Sequence, residues 1–171
     1  VLFGGMWVAY AIAGYMLGRG AHPLVGQALL LLGVILFGAN IWLIAQIYHI
    51  SSHYPNGVLM WALGALLAAY LLRSHPALCA AGLLAMLWTG MESFGFDRPA
   101  HWPYLLFWLV CLPPVVRHRW RFAAHAAALG ILFWSWSTII HVEWAARGAM
   151  LYLAQVYFLI YLAAFIAGMW M

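Results

Sequence analysis

Runs of apolar residues separated by short polar breaks dominate the chain, and their lengths point to helices that cross a bilayer. Seven such segments follow one another: Leu2–Leu17, Leu24–Ile50, Gly57–Leu72, Ala77–Met91, Tyr104–Val116, Phe122–Ile140 and Met150–Met171. The breaks between them are rich in Gly, Pro, Ser and His, residues that punctuate helices and favour turns. Several runs fall short of the ~20 residues that a helix needs to traverse hydrocarbon. Trp, Tyr, Arg and His at their ends occupy the interfacial zone and extend each crossing. The period-2 alternation of a half-buried strand is missing, and backbone left unpaired in lipid costs several kcal/mol per group, so helices are the expected element. The pattern predicts an all-α fold: a polytopic transmembrane helix bundle of about seven spans, forming one transmembrane helical domain over residues 1–171. Apolar sequence is already present at Val1 and runs on to Met171, which leads to the expectation of a fragment of a longer chain.

Composition agrees with the pattern. Of 171 residues, 68% are hydrophobic and 6% charged, against roughly 45–50% and about 25% in soluble domains. A soluble globular domain, a disordered chain, a nucleic-acid binder and a disulfide-stapled secreted module are excluded. The net charge of +4 rests on seven Arg against three acids, and it reads as a topological signal. If all seven segments cross, the breaks after the first, third and fifth carry Arg19, Arg73, Arg117, Arg119 and Arg121. The other breaks carry Arg98 and Arg147. Short cytoplasmic loops concentrate Arg, so loops 18–23, 73–76 and 117–121 are expected on the cytoplasmic side of a bacterial inner membrane. The fifth segment, with Pro113-Pro114 near its end, is short enough for a re-entrant helix, but that arrangement would erase the charge bias.

Polar residues then sort by depth. Glu92, Asp97 and Glu143 all fall on the outer side, together with His49, His53, His101 and His141. Gln46, Thr89, Ser137, Thr138 and Gln155 lie in the outer halves of their segments, whereas Gln27, His125, Cys79 and Cys111 lie in the inner halves. Polar groups at such depths are costly and face the bundle interior. At about 100° per residue, Trp42, Gln46, His49 and His53 share one face if the second helix continues past Ser51-Ser52. Thr89 and Glu92 stack at i, i+3, and Trp134, Ser137, Thr138 and His141 cluster on the sixth segment. The candidate polar pocket therefore comprises Gln46, His49, His53, Glu92, Ser137, His141 and Glu143, opening outward.

Three function classes fit such a pocket. The first is transport or binding of a small solute or ion. The second is a non-catalytic sensing or assembly module that meets partner proteins through a soluble segment outside this sequence. The third is an outer-leaflet enzyme using His49 or His141 beside a carboxylate. No metal site is assigned: His49, His53 and His141 are the candidates, but a compact signature such as H-E-x-x-H is missing. A haem held by His49 and His141 is a further alternative, and the cofactor stays unknown. Trp61, Trp88, Trp102, Trp120 and Trp144 lie near segment ends, where an aromatic belt is expected, while Trp134 and Trp136 read as packing residues. Gly14 and Gly18 offer a small-xxx-small face for close helix approach.

The stretch from Gly26-Gln27-Ala28 through Leu31-Leu32-Gly33, Phe37-Gly38-Ala39 and Ala45-Gln46-Ile47-Tyr48-His49, then Leu59-Met60-Trp61-Ala62 and Leu71-Leu72-Arg73-Ser74, resembles a prokaryotic membrane family, domain of unknown function 2157. The resemblance is carried by Gly26–Ser74 and implies a multi-span bacterial membrane protein with a short soluble segment before the first span. It implies no activity and no catalytic residues. Its Ala-Gln-Ile-Tyr-His stretch coincides with Gln46 and His49.

Overall fold

A computed structural model of the chain describes residues 2–20, 22–49, 53–96, 98, 101–143, 157, 158 and 161, with the backbone alone at 141–143. Every regular element among them is helical: α1 (Leu2–Arg19), α2 (Pro23–Ile47), α3 (Pro55–Leu71), α4 (His75–Gly95), α5 (Pro103–His118) and α6 (Arg121–Glu143). The residues at the helix ends explain these bounds. Pro23, Pro55 and Pro103 open their helices, a position where the missing N–H would have had no partner and the fixed φ is already helical. Ser74 caps α4 by accepting the Ala77 N–H on its hydroxyl at 3.3 Å. Arg73 and Arg119 turn the chain out of α3 and α5 in the left-handed region, at φ 47° and 51°. Each is followed by an amide that closes back on the helix, Ser74 to the Ala69 carbonyl and Trp120 to the Val115 carbonyl.

Three helices are long and apolar enough to cross a membrane: Pro23–Ile47, His75–Gly95 and Arg121–Ile140. Pro55–Leu71 is a shorter apolar helix. The bundle class holds, and the count of about seven spans is corrected to six helices among the described residues, three of span length. Hydropathy counts every apolar run as a crossing, whereas helix length depends on where the caps fall. α5 has 16 residues, about 24 Å at 1.5 Å per residue, short of the ~30 Å hydrocarbon core. It runs continuously through Pro113-Pro114. The seventh segment, Met150–Met171, lies outside the described residues except for Tyr157, Phe158 and Tyr161, which are helical.

The chain divides into two compact units, Val1–Leu84 and Ala85–Met171, with the boundary inside α4. In the N-terminal unit α1 packs on α2 and α2 on α3. Glycines on α2 and α3 permit the approach. A Cβ at Gly33 would come within 2.9 Å of the Tyr10 ring, one at Gly38 would collide with the Trp61 indole, and one at Gly64 with the Phe37 ring. Without a hydrophobic drive between helices in lipid, such close packing supplies the attraction. Trp61 adds a directed contact, its indole N–H donating to the Val34 carbonyl at 2.8 Å. Two expectations are thereby corrected. Trp61 belongs to a helix contact, not to an aromatic belt, because its ring fills the groove over Gly38. Gly14 and Gly18 do not mediate the close approach, since a Cβ at Gly14 would meet only Leu72 at 3.9 Å and one at Gly18 nothing within 4 Å.

In the C-terminal unit α5 packs on α6. The Trp108 indole N–H donates to the Ala127 carbonyl at 2.8 Å, and the Tyr104 hydroxyl occupies the space beside Gly130 that a Cβ would need. Large apolar side chains on both units point outward, Leu24 at 85% and Phe122 at 80% exposure among them. Patches of this kind on a soluble protein would mark an interface. On helices of span length they are the surface that meets lipid.

Replacing Gly38 by Ala should destabilise the protein by about 1–3 kcal/mol through overpacking against Trp61. Gly18→Ala should be neutral or stabilising by up to about 1 kcal/mol. Thermal unfolding in detergent ranks the two, and equal midpoints would refute the assignment of the close approach to α2.

Candidate functional site

The last two turns of α4 carry four buried polar or polar-tipped residues: Trp88, Thr89, Glu92 and Ser93. At 100° per residue they fall within an arc of about 140° on one side of the helix. Glu92 is 3% exposed, and Thr89 and Ser93 are fully buried. Helix α4 is otherwise rich in Ala and Leu, so this arc is a polar inlay on an apolar rod.

His101, in the connection between α4 and α5, closes over the arc. Its ring lies edge-on to Trp88, centroids 4.3 Å apart at 80°, and its Nδ1 is 3.3 Å from the Thr89 hydroxyl. The His101 carbonyl accepts the Trp134 indole N–H from α6 at 3.1 Å. The Trp134 carbonyl in turn accepts the hydroxyls of Ser137 and Thr138, both at 2.9 Å. The connection itself folds back onto the helix end, since the amides of Phe96 and Arg98 both donate to the Glu92 carbonyl at 3.3 Å. That return brings Arg98 Nε to 3.6 Å from Glu92 Oε2, a pair in which the arginine side chain is 65% exposed and the glutamate 4%.

Electrostatics follow from burial. Desolvation holds the His101 pKa below the ordinary histidine value of 6.5, with Glu92 pulling it upward and Arg98 pushing it down. The imidazole is therefore neutral near pH 7 while Glu92 is paired with Arg98.

The residues singled out by spacing are distributed between the two units. Glu92 and Ser137 both belong to the C-terminal unit, and the bonds from Ser137 through Trp134 and His101 reach Thr89, on the same arc of α4 as Glu92. His141 and Glu143 end α6, and their side chains lie outside the described residues, as does Asp97. Gln46, His49 and His53 belong to the N-terminal unit. Their common helical face is corrected: α2 stops at Ile47 and His49 takes φ 49°, so the spacing no longer places the three together. Gln46 and His49 are exposed. His53 is half-buried and lines a cavity of about 430 Å³ with Phe37, Ile41, Trp42, Asn56 and Met60. Among the described residues no group of three or more His, Cys, Asp or Glu is placed to hold a metal ion.

Trp88, Ser93, Arg98 and His101 complete the cluster, although spacing did not nominate them for it. Trp88 is 6% exposed and packs inside the unit, which corrects its placement in an aromatic belt. The detectable signal was the i, i+1, i+4, i+5 series Trp88, Thr89, Glu92, Ser93, one polar stripe on an Ala-rich helix.

Helices of span length, lipid-facing apolar surfaces and an interior polar cluster define a helical membrane protein. Residues 1–78 match the family described as predicted membrane protein, domain of unknown function 2157, so the match covers the larger part of the N-terminal unit. No curated protein and no solved structure matches the chain.

The lowered pKa of His101 sets a direction for acid stability. Its neutral form contributes stability that is complete above pH 6.5 and is lost as pH falls through the lowered value. Acidification from pH 7 to pH 5 should lower the unfolding midpoint, and His101→Asn should reduce that drop. Superimposable acid profiles for the two proteins would show that His101 is not held neutral in the fold.

Proposed function

We propose that the protein binds a small solute or ion at the polar cluster around Glu92 and passes it to or across the bilayer. One observation carries this reading: a carboxylate 3% exposed within a membrane bundle. Intramembrane ionisable residues are expensive and mark ligand or ion paths by default. Thr89, Ser93 and His101 supply further polar atoms around it, so a ligand would meet hydroxyl oxygens, one carboxylate and one neutral imidazole. The C-terminal halves of α4 and α6 and the start of α5 frame this end of the unit. If the shorter helices α1, α3 and α5 cross along with the three of span length, the Arg distribution turns this end outward from a bacterial inner membrane, with the loops bearing Arg19, Arg73 and Arg117–Arg121 in the cytoplasm.

A second reading, a non-catalytic sensing or assembly module, is favoured by the bonds that tie His101 to Thr89 and to Trp134. In that reading the cluster only holds the α4–α5 connection to α6.

Reconstituted vesicles separate the two. Glu92→Gln should cut solute or ion flux at least about tenfold, a loss of ~1.4 kcal/mol in transition-state stabilisation, while leaving folded yield nearly unchanged. Loss of folded protein without any flux in the unsubstituted chain would establish the module reading. Orientation has its own test: Asn56→Cys, at an exposed position, should react with an impermeant thiol reagent from outside. Labelling only from the cytoplasmic side reverses the assignment.

A further inference from the structure

We propose that the cavity between the end of α2 and the start of α3 receives the acyl chain of a membrane lipid with an uncharged, hydroxyl-bearing head, the class to which diacylglycerol belongs. The site lies in the N-terminal unit, apart from the Glu92 cluster, and it stands or falls independently of the function proposed there.

The register between the two helices sets the depth of the cavity. A Cβ at Gly57 would meet Ile41 at 3.5 Å, and one at Gly64 would collide with the Phe37 ring. Helices α2 and α3 therefore run antiparallel, and the end of α2 lies level with the start of α3. The cavity lining reaches from Phe37 at the deep end to His53, Tyr54 and Asn56 at the helix ends. Phe37 precedes Ile47, the last residue of α2, by ten positions, which is about 15 Å of helix. That is half of the ~30 Å hydrocarbon core, the depth of one lipid leaflet.

The chemistry changes along this depth. Phe37, Ile41 and Met60 line the deep part, whereas imidazole, phenol and amide groups enter the lining only at the helix ends. A volume of about 430 Å³ falls within the ~300–1,000 Å³ of ligand sites, which are mainly apolar with a few polar groups that fix orientation. Much smaller apolar cavities, near ~150 Å³, stay dry and take up apolar molecules. Ile44 and Met60 form part of the wall and are 48% and 56% exposed, so the cavity reaches the surface of the unit and a chain can enter it from the side.

Charge selects the head. No Lys, Arg, Asp or Glu occurs among the described residues that line the cavity, whereas anionic headgroups are held by clusters of Lys and Arg. A phosphate placed here would lose hydration without gaining a paired cation. Asn56 carries two N–H donors and a carbonyl acceptor, a match for a hydroxyl, which both donates and accepts. Trp42 and Tyr54, both exposed on the cavity rim, combine an apolar ring with a polar tip, as residues at headgroup level do.

Photolabelling tests this, with the full chain in vesicles that contain a trace of diacylglycerol bearing a diazirine in its acyl chain, and phosphatidylglycerol with the same chain as the alternative. Diacylglycerol should label residues 37–60, and phosphatidylglycerol should label them at least about tenfold less. Gly57→Leu sends a side chain into the cavity from a position where a Cβ makes only ordinary contact, and it should cut diacylglycerol labelling at least about tenfold. Asn56→Leu, at an exposed position, should cut it about threefold or more through the lost hydrogen bond, with folded yield unchanged. Labelling of residues 37–60 that neither substitution lowers overturns the site and leaves ordinary contact with bulk lipid. Phosphatidylglycerol labelling that equals or exceeds that of diacylglycerol overturns the uncharged head.

Discussion

In a medium without water, every polar group must find its partner inside the protein, and this requirement organises both units. Backbone amides meet it by forming helices, and the side chains meet it by borrowing those same helices. Three indole N–H groups illustrate the device. Trp61 reaches the Val34 carbonyl from α3 to α2, Trp108 reaches the Ala127 carbonyl from α5 to α6, and Trp134 reaches the His101 carbonyl from α6 to the connection ahead of α5. Each carbonyl has a second lone pair, so the bond adds to the helix ladder without breaking it. The Trp61 ring also fills the groove over Gly38, which a small donor such as Ser would leave open. A tryptophan thereby provides packing and direction at one position, in an environment where apolar contact alone does not distinguish a neighbour helix from lipid.

The same requirement explains why the fold was largely legible in the sequence and the interior was not. Apolar runs announce helices because nothing else satisfies backbone in lipid, and Pro23, Pro55 and Pro103 mark where helices begin. The inward face is another matter. A helix such as α2 is apolar around its whole circumference, so no periodicity says which side is buried. Gly33 and Gly38 proved to be the contact face of α2, while the more recognisable Gly14 and Gly18 were not. A tryptophan near a segment end is equally suited to a membrane interface and to a helix groove. Trp61 and Trp88 took the second role because a glycine and a histidine, respectively, lay opposite them.

Of the candidate site, Glu92 and Thr89 were visible because i, i+3 stacking survives any small error in helix bounds. The His49 and His53 pairing was more fragile, since an i, i+4 relation across Ser51-Ser52 needs an unbroken helix. α2 ends at Ile47 and the chain turns at His49 through the left-handed region. No Pro or Gly lies between Ile47 and Pro55, so residue type alone did not announce the stop. His101 shows the converse: it lies in a connection, where helical spacing carries no information, and it reaches the cluster only because the chain doubles back on the Glu92 carbonyl.

That doubling back gives the α4 terminus a character that neither the helix nor the connection has alone. The Glu92 carbonyl accepts two amides from the connection, so the backbone there is pinned. The carboxylate at the end of the same side chain faces a guanidinium beyond normal hydrogen-bond length. Main chain held by two amides thus lies beside an ion pair whose arginine stays in solvent. The arrangement present here keeps the Glu92 carboxylate buried while the Arg98 side chain stays hydrated. The Ser93 hydroxyl and the Trp88 indole N–H are buried on the same arc of α4, so the polar inlay extends past the ion pair itself.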